Sequence, residues 1–575
     1  MGYPRRMLTF SPDPQVAEKQ MQAIIFSLTT FGHIDGDFDD REQQFVRDYI
    51  KKLVVHRVAT GMPDATEAVR RDVTERFTKH FHETFENIER WVAEVMSEPI
   101  SKDDSRDAVV HAKLKLRCFE LFKGFDRGSQ EVILETVDEF ILADGHSHPA
   151  ETKFRTELAA LLASDESAQE IAIEIEDAAP TGAPVRVSQP VSMGLAKTTD
   201  HPFFAQFEHH YSSDPERIKK QVAGDLALVD RTIETIQAQA AKGAGKLTGK
   251  KTVADLADED PFLDGHVFVV PTKPGRRYEL VVLGDLHGCY SCLKAAIMQS
   301  RFFEKVEAFR RDPERNPETR LVLLGDYIDR GIFSLNGVLR SVMQLYCTAP
   351  EYVHVLRGNH EFYVEYKGQI YGGVKPAEAI NTLKPYLPID VFRRYMALFD
   401  VMPASLLFGR TLFVHAGIPR DRLIKERWKD LSTLNDPDVR FQMMWSDPSA
   451  ADVIPAALQE QTARFPFGKL QLQSFLQRIG CNALVRGHEK VDHGFERVYD
   501  DPNATLITLF SAGGATNDDL PEGSSYRGVT PKAMIVTHED GVTEMTPFDL
   551  DYEAYNDPAH NAFFKAPMEI EHRVE

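Results

Sequence analysis

The sequence is short of cysteine, of cationic charge and of long apolar runs, and each shortage closes off a class of protein. Five cysteines in 575 residues, Cys118, Cys289, Cys292, Cys347 and Cys481, are too few, and odd in number, for a disulfide framework, so a reducing compartment is expected. Cys289 and Cys292 form a lone CxxC with no second pair, which reads as two packing thiols at a helix start rather than a zinc site. With 67 Lys and Arg against 88 Asp and Glu, the formal charge of −21 argues against general affinity for nucleic acid or anionic membrane. No apolar stretch reaches the ~18 residues of a membrane span, and MGYPRRMLTF lacks the apolar core of a secretory signal. Arg6 stands where a myristoylation signal needs Ser or Thr, and cytoplasm is the expected location.

What is present is enough hydrophobic residue, 42%, for two or more domains. From about Gln15 to Leu162 apolar residues recur at helical spacing, as in VAEKQMQAIIFSLTTF and REQQFVRDYIKKLVV, predicting an all-helical domain over residues 1–165. Inside it, FGHIDGDFDDRE and FILADGHSHPAE echo one another, each ending an apolar helix with Asp-Gly and placing a Glu further on: Asp35 with Glu42, Asp144 with Glu151. A calcium loop would need oxygen ligands ahead of each Asp, where the chain has Phe31 and His33, or Phe140 and Leu142. Plain helix capping competes with metal binding at these four acids. Residues 166–265 read as linker and connecting helices: EDAAPTGAPVRVSQP lacks periodicity, and a polar helix over Pro215 to about Ala241 runs into AKGAGKLTGKK, a solvated loop.

From residue 266 to about 550 the pattern changes to short β-branched runs between helices, predicting an α/β core, with residues 551–575 as a tail. The unusual chemistry sits at the ends of these runs: YELVVL then GDLHG, RLVLL then GDYIDRG, YVHVL then RGNHE, RTLFV then HAG, NALV then RGHE. One Asp-x-His after a strand often only caps a helix. Five such ends together give Asp285, His287, Asp326, Asn359, His415 and His488, a set of imidazoles, carboxylates and an amide oxygen suited to two borderline cations, with Asp326 the natural bridge.

These motifs, with WSDP at Trp445–Pro448 and the later LFSAGG, resemble the PPP family of serine/threonine protein phosphatases within the calcineurin-like metallophosphoesterases, over about Glu279 to Asp540. The DG…E junctions ahead of them resemble TerB-like domains, whose members are associated with stress signalling and acidic metal sites. The first resemblance implies a β-sandwich flanked by helices and two divalent ions (manganese, iron or zinc) that lower the pKa of a water and aim it at phosphorus. It implies that Asp285, His287 and Asp326 hold one ion and Asp326, Asn359 and His415 the other, with His488 closing one of the two shells. Arg330 would face phosphoryl oxygens, Asp329 would orient His360 and keep it charged, and His360 would protonate the leaving serine oxygen. Asn359 and a second arginine would also touch phosphate: Arg464 is the choice and Arg440 the fallback.

Two departures from the family stand out. His415-Ala416-Gly417 replaces His-Gly-Gly, and the loop after FSA, Gly513 to Asn517, lacks the family's aromatic, which puts substrate preference and toxin sensitivity in question. The expected partner is a phosphoserine or phosphothreonine protein, with a signalling partner for the helical domain, and neither nucleic acid nor membrane. No cysteine precedes an arginine by the spacing of a cysteinyl-phosphate loop, so attack falls to water. The competing readings are a dinucleoside-tetraphosphate hydrolase, which shares GDxHG and GNH, and a scaffold with a vestigial metal site. Asp329-Arg330-Gly331 and His360-Glu361 favour the phosphatase.

Overall fold

The structure is a computed structural model and describes residues 8, 10–36, 38–97, 106–123, 125–143, 148–163, 185–194, 200–461 and 464–574. Asp144, Gly2, Arg6 and most of the expected linker lie outside the described residues. The chain forms two compact units, residues 1–170 with 449–462, and residues 171–448 with 463–575.

The first unit is helical among its described parts in residues 1–170, with helices Pro14–His33, Asp40–Gly61, Glu67–Ser97, Arg106–Lys123, Arg127–Ile141 and Pro149–Ala163. Local chemistry sets the starts. Asp13 accepts from the Gln15 and Val16 amides ahead of the first helix, and Asp39 and Glu42 form a reciprocal capping box ahead of the second. The apolar stripes meet in a core that includes Phe31, Phe85, Phe122, Phe140 and Phe154. Ile454 and Leu458, from the strap 449–462 between two strands of the other unit's sequence, are buried in this same core, and the Ala450 amide donates to Glu120 Oε1 at 3.1 Å.

The second unit has two large sheets. The six-stranded sheet runs in the order Arg186–Val187, Val542–Asp549, Lys532–Glu539, Tyr278–Leu283, Glu318–Leu323, Val353–Val355. The seven-stranded sheet runs Phe495–Tyr499, Thr505–Leu509, Ala483–Arg486, Thr411–Val414, Ser405–Phe408, Val267–Val270, Phe262–Asp264. Side chains alternate across the second sheet. Phe268, Leu406, Phe408, Phe413, Val485 and Ile507 join the large core shared with the first sheet, whereas Val269, Leu407, Leu412, Leu484 and Leu506 pack beneath helix Lys469–Ile479. Burial on both faces explains why these strands are nearly all apolar. Strands Tyr278–Leu283, Glu318–Leu323 and Val353–Val355 are parallel, so their C-terminal ends emerge on one edge, as do those of Thr411–Val414 and Ala483–Arg486 in the other sheet.

Segments read from sequence as connector and tail take part in this core. Helix Pro215–Gly243 contributes Ile218, Val222, Val229 and Ile236, and the final residues contribute Phe563 and Ile570. Polar connectors hid this: the helix's buried stripe is only one residue in three or four, and Arg340, fully buried against Asp225 on that helix, fixes it by a paired ionic contact at 2.7 and 2.9 Å.

Candidate metal centre and active site

The strand ends deliver their polar residues through strained turns. Five of the eight non-glycine residues with left-handed φ among the described residues are His287, Asp326, Asp329, Arg330 and His488, with φ of 41°, 53°, 67°, 65° and 72°. Non-glycine residues avoid this region at a cost of order 1–3 kcal/mol each, so strain concentrates where the surroundings hold these side chains in place. Neighbouring glycines make room: a Cβ on Gly358 would lie 2.2 Å from Asp326 Oδ1, and one on Gly487 would lie 2.1 Å from Asp285 Oδ1.

Hydrogen bonding fixes which imidazole nitrogen carries the proton. His287 Nδ1 donates to the Ile328 carbonyl at 3.0 Å and His415 Nδ1 donates to the Leu324 carbonyl at 3.0 Å. Each ring therefore turns an Nε2 lone pair inward. His287 Nε2 faces Asp285 Oδ2 at 3.7 Å and Asp326 Oδ2 at 3.5 Å, and His415 Nε2 faces Asp326 Oδ1 at 3.4 Å. The Asn359 amide lies 2.9 Å from His415 Nε2 and 3.2 Å from His488 Nδ1. Carboxylate oxygens and imidazole lone pairs thus point at one another, with the Asn359 amide able to turn its nitrogen toward them, and Asp285 Oδ2 and His488 Nε2 have no hydrogen-bond partner among the described residues. Donor atoms without protons between them fit cations, with Asp326 shared by a His287 side and a His415–His488 side. His488 falls on the second side, which the sequence left open. The backbone carbonyls behind His287 and His415 are the outer support that metal-bound imidazoles use.

Burial dominates the electrostatics. It pushes the Asp285 carboxyl up to about 7 and the Asp326 carboxyl well above its usual range, and it holds His287, His415 and His488 well below theirs. All three imidazoles are thereby neutral, the form that ligates metal. A pocket that resists both carboxylate anions and imidazolium gains most from a dication.

Asp329, Arg330 and His360 meet beside these ligands. Asp329 Oδ2 accepts from His360 Nδ1 at 2.8 Å and its Oδ1 accepts from the Ala379 amide at 2.9 Å, which leaves His360 Nε2 3.9 Å from Asp326 Oδ2. Asp329 orients the ring, but burial, then the Arg330 and Arg464 charges, hold His360 well below its ordinary value. That pull is opposite to the charge that the sequence reading gives this ring. Arg330 bonds Glu378 Oε1 at 3.2 Å and the Pro376 carbonyl at 3.2 Å. Arg464 pairs with Asp447 and approaches Glu489 Oε1 at 3.9 Å, and its charge reaches both His360 and His488. Arg440 instead donates to the Asn435 carbonyl at 3.2 Å and faces His266, away from this group, so Arg464 is the arginine at the site.

Several supporting residues escaped the sequence reading. Glu361 accepts from the Asp326, Tyr327 and Gly358 amides at 2.8, 2.8 and 3.0 Å, clamping two ligand-bearing turns together. Arg486, fully buried, joins Asp447 Oδ1 at 2.7 Å to Glu489 Oε2 at 2.6 Å. Burial raises the Asp447 carboxyl, but Arg464 and Arg486 outweigh it and hold the group below the usual range. The loop Gly513–Asn517 lacks an aromatic, yet Tyr526 from the short helix Ser525–Gly528 lies 5.4 Å from the His287 ring, and the Arg330 charge acts on its hydroxyl. Its distance along the chain from LFSAGG concealed it. Cys289 and Cys292 are both fully buried, free thiols.

In the helical unit Glu42 Oε2 accepts from the Asp39 amide at 3.1 Å and Glu151 Oε2 accepts from the His148 amide at 3.0 Å, so both echo glutamates have capping geometry. Burial pushes Glu42 up to about 8, and the Asp35 and Glu151 charges add to this. Asp35 is exposed.

Carboxylates, imidazoles and an amide at the C-terminal ends of strands from two sheets, with arginines alongside, are a donor set that could hold metal ions next to a bound anion. The family comparison is more specific: residues 278–492 match the calcineurin-like phosphoesterase family. A probable serine/threonine-protein phosphatase of Encephalitozoon cuniculi is 26% identical over 273 residues, 47% of this chain and 53% of that protein. The serine/threonine-protein phosphatase 6 catalytic subunit of Caenorhabditis elegans is 28% identical over 240 residues, 40% of this chain and 64% of its own length. A solved protein serine/threonine phosphatase of Saccharomyces cerevisiae with similarity to human phosphatase PP5 aligns at 16% identity and a TM-score of 0.35, covering 57% of this chain and 89% of that one. The chain spans about half the length of the first of these relatives, 53%. No described helix is long and apolar enough to cross a membrane.

Proposed function

We propose that the chain is a phosphomonoester hydrolase of the protein serine/threonine phosphatase type, working with two divalent ions (manganese, iron or zinc) in the cytoplasm. The observation that carries this is Asp326, whose two oxygens face His287 Nε2 and His415 Nε2 at 3.5 and 3.4 Å. Ions bound there would supply a water acidified toward neutral pH and charge to offset the phosphate. Asp285, His287 and Asp326 would hold one, and Asp326, Asn359, His415 and His488 would hold the other. Arg330, with Arg464 and the Asn359 amide, binds the phosphoryl oxygens and orients phosphorus for in-line attack. His360, oriented through Nδ1 by Asp329, presents Nε2 to carry a proton to the leaving serine oxygen. This acid is what separates a monoester of a poor leaving group from a dinucleoside polyphosphate, whose leaving group needs none.

The helical unit, including its TerB-like resemblance, is read as a regulatory or sensing domain that takes a signalling partner. The strap supports this reading: residues 449–462 belong to the helical unit, and its flanks in sequence are Asp447 and Arg464, which pair with each other. Turnover of a phosphoserine peptide, an aryl phosphate and diadenosine tetraphosphate by the metal-loaded protein tests the activity. Hydrolysis of the last alone would replace this reading with the dinucleotide hydrolase.

A further inference from the structure

At the opposite ends of the strands that carry the ligands, the second unit has a cleft of about 450 Å3, within the size range of small-molecule sites. Glu318 and Arg320, in the strand that leads to Asp326, and His354, in the strand that leads to Asn359, line it. Its composition stands apart from a chain of net charge −21. Lys242, Lys246 and Arg276 line it, and Phe262, Phe309 and Tyr352 provide aromatic surface. Lys246 pairs with Glu259 at 3.0 Å and Arg276 with Glu318 at 3.0 Å, but Lys242 has no ion-pair partner among the described residues.

His354 stands within the wall of the cleft. It is 3% exposed, and its Nε2 lies 3.0 Å from Arg320 Nη1. Guanidinium only donates, so Nε2 is the acceptor and the ring proton sits on Nδ1. That Nδ1–H donor is buried and has no partner among the described residues. Because that nitrogen has essentially no accessible surface, Arg320 rather than a ligand in the cleft is the ring's partner. None of these residues belongs to the metal centre or its arginines.

We propose that this cleft binds a nucleotide, a flat heteroaromatic ring carrying a short phosphate chain. The ring occupies the aromatic walls and the phosphates meet Lys242, Lys246 and Arg276. Phosphate alone would leave the aromatic walls unused, and a bare nucleoside would leave the cations unused. Hydrogen exchange of the full chain with ADP, adenosine or inorganic phosphate as probe tests this directly. ADP is expected to protect residues 239–246 and 350–354 at sub-millimolar concentration, with adenosine and phosphate at least tenfold weaker. Lys242→Glu, at an exposed position, and Arg276→Ala are each expected to weaken ADP binding at least tenfold while leaving phosphoserine-peptide turnover without ADP unchanged. Absence of protection at millimolar ADP, protection indifferent to both substitutions, or equal protection by phosphate alone would overturn the proposal.

Discussion

Replacing Asp329 by Asn probes the proton-delivery step without disturbing the metal ligands. The Asn oxygen can still accept from the Ala379 amide, as Asp329 Oδ1 does at 2.9 Å, so the turn should keep its shape. The other side of the amide is a donor, and it meets His360 Nδ1, now at 2.8 Å from a carboxylate oxygen. To keep that bond the imidazole must place its lone pair on Nδ1 and its proton on Nε2. A cationic ring then loses the anion that stabilises it, and a neutral ring could give up its Nε2 proton only as imidazolate. A positioned general acid contributes roughly 10²–10⁴-fold, or about 3–5 kcal/mol, to departure of a poor leaving group. Phosphoserine-peptide turnover should therefore fall by about that factor. Turnover of p-nitrophenyl phosphate, whose leaving group departs without a proton, should fall less than roughly tenfold, and bound metal should not change. Equal losses on both substrates with metal retained would refute the assignment of His360 as the acid.

Other consequences follow from the same geometry. Glu361→Ala unpairs three buried amides and should destabilise the protein by about 3 kcal/mol or more in a denaturant titration, with metal affinity down about 10–100-fold. Gly487→Ala drives a methyl to 2.1 Å from Asp285 Oδ1 and should reduce bound metal by elemental analysis, whereas Gly523→Ala, with open space around it, should not. Leu458→Ala opens a cavity in the helical unit's core and should cost about 2–5 kcal/mol there, seen as faster hydrogen exchange in helices of residues 1–163. Glu42 binds its proton more tightly when folded, so its contribution to stability is complete below the unfolded value and is lost as pH rises toward about 8. Against the Glu42→Gln variant, the wild-type helical unit should lose up to about 2 kcal/mol between pH 6.5 and 8, and parallel stability curves would contradict the shift.

The meeting of Asp285, His287, Asp326, Asn359, His415 and His488 was legible because each directly follows an apolar run, and a strand end fixes position better than any loop. The Asp329–His360 contact was legible for the same reason, since Asp329 follows Asp326 on one turn and His360 follows Asn359. Contacts between distant turns were not. Glu361 belongs to a quoted motif, but its role depends on the Asp326 turn arriving 2.8 Å away, which tertiary packing decides. Tyr526 reaches His287 from a short helix with no strand to anchor it in sequence. The strap's attachment to the helical unit rests on Ile454 and Leu458, two apolar residues in a segment too short to show a period. The downward pull of burial on His360 is likewise something that residue spacing does not report.

Stepwise metal addition to chelator-treated protein, read as phosphoserine-peptide turnover, tests the central claim most directly. Turnover should be absent without metal, rise with manganese, iron or zinc, and saturate at two equivalents per chain. Saturated protein that leaves the peptide intact, or activity that survives thorough chelation, would contradict the account.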